Sequence, residues 1–219
     1  LIQKSVQLAQ EARDLYLSAR GTDGNKPLVA ASVGPYGAYL ADGSEYRGDY
    51  GVDEGALTAF HAGRLAVLAS AQPDLLACET LPCLMEARAI VRALREREIR
   101  IPAWFSFSCR DGAHISDGTP IAECARCLDT VPEAAAIGLN CTAPQHAEAL
   151  IGAIRKETDK PIVVYPNSGE TYDAADKSWH GTAEDFGTMA QRWHSAGARL
   201  IGGCCRTTPR EIAEIAAWA

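Results

Sequence analysis

The sequence lacks the features that would direct a protein to nucleic acids or to membranes. It contains 21 lysine and arginine residues against 28 aspartate and glutamate residues, for a formal charge of −7, and it has no basic run. Nucleic acid is therefore excluded as the main partner, because phosphate backbones are bound by clustered positive charge. No apolar stretch approaches the roughly 20 residues of a membrane-spanning helix. The opening Leu-Ile-Gln-Lys is not typical of a secretory signal.

Glycine-rich phosphate-binding loops are also missing. No dinucleotide or P-loop fingerprint follows any predicted strand, although strands and helices alternate as in a parallel α/β sheet. Polar residues cluster after the strands, where (β/α)8 barrels place their sites, and we therefore predict a TIM barrel. The predicted strands are residues 28–33, 75–80, 103–109, 134–141, 162–165 and 200–203. The predicted helices are residues 2–20, 52–70, 84–98, 120–128, 144–157, 182–195 and 208–218.

The strand count differs from that of a complete barrel. A barrel of this class has eight strands, whereas six are predicted, and the chain opens within a helical pattern without an initiating methionine. We expect that the first two strands are absent. On this interpretation residues 1–219 form one barrel domain that is incomplete at its N terminus. The sequence indicates no oligomeric state.

Eight cysteines are present, and an even number raises the question of a disulfide framework. Disulfide-dependent secreted domains are short and loop-rich, whereas this chain is long and strongly periodic, so reduced cysteines in a cytoplasmic enzyme are favoured. Cys124 and Cys127 form a CxxC pair within a helical pattern, and we predict that they pack in the core. Cys78 and Cys83 are interpreted as structural.

Three other cysteines follow apolar strand patterns. Cys204 and Cys205 come directly after Leu-Ile-Gly-Gly, and Cys141 comes after Ala-Ile-Gly-Leu-Asn. Two adjacent glycines let the backbone leave the strand pleat, so that both neighbouring thiols can face one site. Zinc prefers such thiolate ligands, and catalytic zinc sites keep one position free. We predict a zinc site formed by these three cysteines with an open fourth position.

The expected charge of this site favours thiol chemistry. Three thiolates on Zn²⁺ leave a net charge of about −1, which makes a poor Lewis acid for water but suits the ionisation of a substrate thiol. Such a thiolate would be ready for alkyl transfer. The alternatives are ordinary buried cysteines, or a non-catalytic protein in which the same residues hold a structural metal or a disulfide.

Few other side chains point to chemistry. Glu79 ends a predicted strand and is a candidate for holding a substrate ammonium group, with a helix-capping or supporting role as the alternative. Asn140 and Asn167 are candidates for orienting Cys141 or the substrate. Ser106 is a candidate for binding the substrate, with core packing as the alternative. No side chain is predicted to act as a general acid or base. The histidines do not pair at ligand spacing and are each expected at the surface; they are His61, His114, His146, His180 and His194.

Several stretches together resemble the homocysteine S-methyltransferase family. Residues 202–205 (Gly-Gly-Cys-Cys) and 138–141 (Gly-Leu-Asn-Cys) are similar to its zinc signature. Residues 32–50, 76–82 and 164–170 are similar to the stand-alone members of the family, which use S-methylmethionine as donor. The resemblance extends over the whole chain.

This resemblance implies a (β/α)8 barrel with one zinc ion, held by Cys141, Cys204 and Cys205. It implies methyl transfer from a sulfonium donor, S-methylmethionine or S-adenosylmethionine, to homocysteine, which gives methionine. Glu79 would meet the homocysteine ammonium group. The Asp-Gly-Gly-like segment at the end of the family's first strand has no match here.

The tyrosine-rich stretch 36–50 is predicted to be a long loop. Long loops within compact domains are usually functional or mobile, and aromatic faces attract onium groups. Gly34, Tyr36 and Tyr39 are therefore candidates for a lid over the donor. The alternative is a loop that only packs or faces solvent.

Overall fold

A computed structural model of the chain describes residues 1–20, 26–173, 176, 178–181 and 185–219. The strands in this part are β1 (Ala30–Val33), β2 (Leu75–Leu81), β3 (Ala103–Phe107), β4 (Ala134–Asn140), β5 (Ile162–Tyr165), β6 (Thr171–Asp173), β7 (Ser178–His180) and β8 (Ala198–Ile201). The helices are α1 (Ile2–Arg20), α2 (Tyr36–Leu40), α3 (Glu54–Ser70), α4 (Leu84–Glu96), α5 (Ile121–Asp129), α6 (Ala147–Arg155), α7 (Phe186–Ala196) and α8 (Pro209–Ala216). Single 3-10 turns span Ser44–Tyr46 and Pro144–His146.

Six parallel strands form the main sheet in the order β1-β2-β3-β4-β5-β8. Helices connect consecutive strands of this sheet, which confirms the predicted α/β alternation and all six predicted strands. Within the described residues β1 and β8 are the two edges, so the sheet does not close into a barrel. Strands β6 and β7 form a separate antiparallel hairpin.

The hydrophobic core lies between the outer face of this sheet and the helices. Successive strand residues point to opposite faces, and the outward set is fully buried; it includes Cys78, Phe105, Phe107, Ile137, Leu139, Ile162 and Val164. The inward set carries the polar side chains Glu79, Ser106, Asn140 and Tyr165. The alternation of the sequence therefore separates packing residues from residues that can face a site.

Several elements differ from the sequence-based prediction in their bounds, and three of these differences concern segments discussed below. The stretch 36–50 contains α2 and a 3-10 turn, because Ala41 and Gly43 take left-handed backbone conformations that end one turn and start the next. Strand β8 ends at Ile201, so both following glycines lie beyond it. Helix α7 begins at Phe186 with the Asp185 carboxylate accepting the Thr188 N–H at 3.1 Å; residues 182–184 of the predicted helix lie outside the described residues.

Of the helices the structure describes, none combines the length and the hydrophobicity that a bilayer span requires.

Candidate metal and substrate site

Three thiols meet at the carboxyl ends of β4 and β8. The Sγ atoms of Cys141, Cys204 and Cys205 all lie within 4.8 Å of one another, and those of Cys141 and Cys205 are 3.9 Å apart. All three residues are partly buried, and all eight cysteines of the chain are free thiols. The fold therefore brings together the three cysteines that the sequence singles out, although 64 positions separate Cys141 from Cys205.

The backbone around the thiols is held by hydrogen bonds from the loop after β5. The Cys204 N–H donates to the Pro166 carbonyl at 2.8 Å, and the Cys205 N–H donates to the Asn167 side-chain oxygen at 3.2 Å. Cys141 itself takes a left-handed conformation with φ of 47°, which is uncommon for a residue with a Cβ. The ends of three strands thus fix the thiol positions.

The glycine before the vicinal pair is required by a close approach. A Cβ at Gly203 would overlap the side chain of Thr207, whose hydroxyl donates to the Cys204 carbonyl at 2.7 Å. Glycine at this position therefore permits the turn that closes the cysteine loop.

Hydrogen bonds among the three thiols shift the pKa values of Cys141 and Cys205 in opposite directions. Hydrogen bonds from the Cys141 and Cys204 thiols lower the pKa of Cys205. Hydrogen bonds with Cys204 and Cys205, together with burial, raise the pKa of Cys141. One thiolate is thus favoured in the group, as expected for sulfur atoms that are crowded together.

The donor set fits a soft, tetrahedral metal ion. Thiolates select zinc and other thiophilic metals over magnesium or calcium, and no carboxylate or imidazole of the described residues joins this group of three. A structural zinc site has four protein ligands, whereas a catalytic one keeps a position open. Within the described part of the chain the arrangement is of the open kind.

Glu79 lies on the inner face near the end of β2, and it is partly buried. Its Oε1 accepts a hydrogen bond from the Ser32 hydroxyl at 2.6 Å, and its Oε2 accepts one from the Tyr165 hydroxyl at 2.9 Å. Burial and the Glu79 charge raise the pKa of Tyr165, which keeps the phenol protonated as a donor. These two partners leave the carboxylate oriented and with unused acceptor capacity.

Asn140 and Ser106 are buried, and Ser106 contacts the Tyr165 hydroxyl that donates to Glu79. The Asn140 side-chain oxygen accepts from the Thr80 N–H at 2.7 Å and from the Ser106 hydroxyl at 2.9 Å. The Ser106 hydroxyl also contacts the Tyr165 hydroxyl at 2.5 Å. The structure therefore gives both residues a role in positioning their neighbours, and direct contact with a substrate stays a prediction for each.

The candidate lid residues pack on one another and on α3. The Tyr36 ring lies 4.9 Å from the Phe60 ring and 5.4 Å from the Tyr50 ring, measured between centroids. The Tyr39 ring lies 5.4 Å from Phe60 and is largely exposed. A donor contact by Gly34, Tyr36 or Tyr39 stays a prediction.

A buried polar network that the sequence did not indicate lies beneath these rings. His61 and Glu86 are both fully buried, with His61 Nε2 and Glu86 Oε1 2.8 Å apart. Glu86 also accepts from the Tyr36 N–H at 2.6 Å and from the Tyr50 hydroxyl at 2.7 Å. The expectation that His61 is exposed is wrong. Helix α3 packs on α4 through the side that carries His61, and Glu86 on α4 gives the buried imidazole a hydrogen-bond partner.

The same network fixes the tautomer of His61. An Arg64 N–H donates to His61 Nδ1 at 2.8 Å, so that Nε2 carries the proton donated to Glu86. Burial lowers the pKa of His61 and keeps the ring neutral. Arg64 also donates to the Gly34 carbonyl at 2.6 Å. The network therefore anchors both ends of the tyrosine-rich stretch.

Comparison with known proteins bears on the identity of this site. The family model described as homocysteine S-methyltransferase matches residues 1–219. The chain is 57% identical over 223 residues to homocysteine S-methyltransferase YbgG of Bacillus subtilis, covering 100% of this chain and 70% of that protein. The chain belongs to the homocysteine S-methyltransferase family.

Other members of this family are similar over the same extent. Homocysteine S-methyltransferase 4 of Zea mays is 50% identical, covering 99% of this chain and 66% of that protein. The chain therefore spans about two thirds of the length of the curated relatives it matches.

A solved structure supports the fold assignment. The crystal structure of the homocysteine methyltransferase MmuM from Escherichia coli, in its metallated form, matches with a TM-score of 0.88 and 46% identity. The match covers 100% of this chain and 70% of that one. The fold class is thus confirmed as that of a TIM barrel, and among the described residues its main sheet has six strands and is not closed. A metallated relative and a three-cysteine group together indicate a metal site.

Proposed function

We propose that this homocysteine S-methyltransferase moves a methyl group from S-methylmethionine to the sulfur of homocysteine and produces methionine. The observation that carries the proposal is the convergence of Cys141, Cys204 and Cys205 without a fourth protein ligand among the described residues. An open position beside three thiolates suits a sulfur from outside the protein. The eight free thiols favour a reducing compartment such as the cytoplasm.

Zinc is the metal we propose for this site. The three cysteine sulfurs would hold it, and when bound it would lower the pKa of the homocysteine thiol, so that thiolate is present near neutral pH. The protein residues around it hold the ligands in place: Asn167 and the Pro166 carbonyl bind the backbone of the vicinal pair.

Glu79 supplies the charge that recognises the acceptor amino acid. Its carboxylate lies on the inner face and is oriented by Ser32 and Tyr165. A carboxylate held by two hydroxyl donors still accepts from an ammonium group, and hydrogen bonds of this charge-assisted kind are about twice as strong as neutral ones. We propose that it binds the homocysteine ammonium group.

The reaction then needs no general acid. Homocysteine releases its thiol proton to solvent, its sulfur forms a bond to the donor methyl carbon, and the bond between that carbon and the sulfonium sulfur breaks. The leaving group departs as a neutral thioether, which with S-methylmethionine is a second methionine. Alignment of the two sulfurs with the methyl carbon is the contribution of the protein.

The test combines metal content with product formation. Zinc per chain is measured with and without homocysteine, and methionine is measured with S-methylmethionine and with S-adenosylmethionine. We expect about one zinc per chain and faster methionine formation from S-methylmethionine. Stoichiometric metal with no product from either donor would contradict the proposal and would favour a non-catalytic zinc protein; a chain that binds no zinc would contradict the metal assignment.

A further inference from the structure

A cavity of about 500 Å³ adjoins the loop that carries the vicinal cysteines. Its wall includes Glu45, Tyr46, Asn167, Glu170 and Trp179. Asn167 joins it to the metal ligands, because the Asn167 side chain also accepts the Cys205 N–H. The volume falls within the range of about 300–1,000 Å³ that is usual for small-molecule sites.

The charged side chains that line this cavity are acidic. Two of its wall residues are glutamates, and no lysine or arginine of the described residues lines it. Glu170 already has partners, since its carboxylate accepts from the Arg206 guanidinium at 3.1 Å and from the Ser168 hydroxyl at 2.9 Å. Its charge is therefore compensated within the protein.

Glu45 is different, because its Oε2 atom is buried without a hydrogen-bond partner. A buried carboxylate oxygen without a partner is unfavourable, and such a group deserves an explanation in a folded protein. Because Glu45 lines the cavity, a cationic ligand bound there would lie against its carboxylate and compensate its charge.

The cavity also presents aromatic surface to a ligand. Tyr46 and Trp179 belong to different elements, the 3-10 turn after α2 and strand β7, and both contribute to the wall. Burial, with smaller contributions from the neighbouring Cys141 and Cys205, raises the pKa of the Tyr46 phenol, so this ring lies near the thiols. Aromatic faces attract onium groups, including sulfonium centres, within about 6 Å of the ring. A carboxylate and two aromatic rings beside the thiols suit a small cation carrying a sulfonium group.

We propose that this cavity binds the sulfonium methyl donor, that Glu45 recognises its ammonium group, and that Tyr46 and Trp179 face its sulfonium centre. The inference rests on the proposed function and names residues for its donor. S-methylmethionine and methionine share the ammonium group, and S-methylmethionine carries one positive charge more, at its sulfonium. Discrimination of the donor from the product is therefore assigned to the two aromatic faces. Within the tyrosine-rich stretch 36–50, the proposed donor contacts are thus Glu45 and Tyr46.

The test is a charge-neutral replacement, Glu45→Gln, in the complete protein. Binding of S-methylmethionine, methionine and homocysteine is measured separately by calorimetry, each without the second substrate, so that no turnover occurs. Loss of a charge-assisted contact raises the Kd for S-methylmethionine about 10- to 100-fold. Homocysteine affinity and zinc content are expected to stay at the wild-type level.

The matched control is Glu96→Gln, which makes the same chemical change at an exposed position of α4. A second variant, Tyr46→Leu, removes the ring without changing charge and is expected to weaken S-methylmethionine more than methionine. Tyr46→Leu also tests the site if Glu45→Gln fails to fold.

Three results would overturn the inference. Unchanged donor affinity in Glu45→Gln, with an active wild-type enzyme, removes the assignment and leaves the proposed function intact. A loss confined to homocysteine assigns the cavity to the acceptor instead. Absence of donor binding and of methionine formation in the wild type overturns both the inference and the proposed function.

Discussion

Asn140 and Thr80 exchange two hydrogen bonds across the inner face of the sheet. The Thr80 N–H donates to the Asn140 side-chain oxygen and the Asn140 amide donates to the Thr80 hydroxyl, each at 2.7 Å. Thr80 follows Glu79 and Asn140 precedes Cys141, so the pair joins the proposed ammonium-binding group to a proposed metal ligand. Thr80 and Cys141 both take left-handed conformations, with φ of 59° and 47°, and such backbone persists only where the surroundings hold it.

Replacement of Glu79 by glutamine is expected to weaken homocysteine binding while zinc is kept. Glutamine preserves the shape and the contacts with Ser32 and Tyr165 but removes the charge. The dissociation constant for homocysteine should rise about 10- to 100-fold, which corresponds to the 1.5–3 kcal/mol of a charged hydrogen bond. Calorimetry with homocysteine measures this, with Glu157→Gln on the protein surface as control. Unchanged affinity in the Glu79 variant would remove its role.

Replacement of Cys204 by serine is expected to abolish zinc retention. A hydroxyl is a harder and far less acidic donor than a thiol, so the remaining two thiolates would hold the ion weakly. Metal content after dialysis measures the effect. Cys127→Ser on α5 is the control, because that residue lies outside the three-thiol group. One zinc per chain in Cys204→Ser would refute the ligand assignment.

The two glycines before the vicinal pair should respond differently to alanine. At Gly203 the added methyl group would overlap Thr207, whereas at Gly202 its nearest neighbour is Tyr165 Cβ at 3.5 Å, an ordinary contact. We expect Gly203→Ala to lower the free energy of unfolding by about 1–3 kcal/mol, as overpacking does, and to reduce zinc affinity. Gly202→Ala should have much smaller effects. Equal losses in the two variants would contradict the packing argument.

His61 is expected to make the protein less stable at mildly acidic pH. Burial lowers its pKa in the folded state below the ordinary value of 6.5, so below about pH 6.5 the unfolded state binds the extra proton. The free energy of unfolding then decreases as pH falls, by up to about 1.4 kcal/mol per pH unit for one proton. Urea unfolding at pH 7 and pH 5.5 measures this slope.

The His61→Gln variant should show a smaller decrease over the same pH interval. His194→Gln is its control, because it replaces the same residue type at an exposed position of α7. If both variants kept the full wild-type slope, His61 would not be its source.

Sequence periodicity and strand-end residues predicted the scaffold and the thiol group. Alternation in stretches such as 134–141 defines a strand from its own residues, and a strand followed by Cys141 places that thiol at a known edge of the sheet. The contacts between residues that are distant in sequence could not be predicted. Tyr165, which orients Glu79, lies 86 positions from it, and no local pattern connects the two.

The contacts of the tyrosine-rich stretch could not be predicted from the sequence either. Its aromatic content indicated a lid, but the pattern does not distinguish rings that pack on Phe60 from a ring that borders the thiols. That distinction depends on α3 and on the Glu86 network, which lie elsewhere in the chain. The lack of a hydrogen-bond partner at Glu45 Oε2 is likewise visible only once its neighbours are placed.

The distance in sequence between Cys141 and Cys205 has a consequence for the chain as a whole. An ion shared by the two would act as a removable cross-link that encloses 64 positions, including α6, β5 and α7. Since loop closure restricts the unfolded chain and metal binding is coupled to folding, a chelator should increase protease cleavage within the enclosed segment before it affects α1 to α4. The ion that prepares the substrate would thus also determine how tightly the last third of the barrel is joined to the rest.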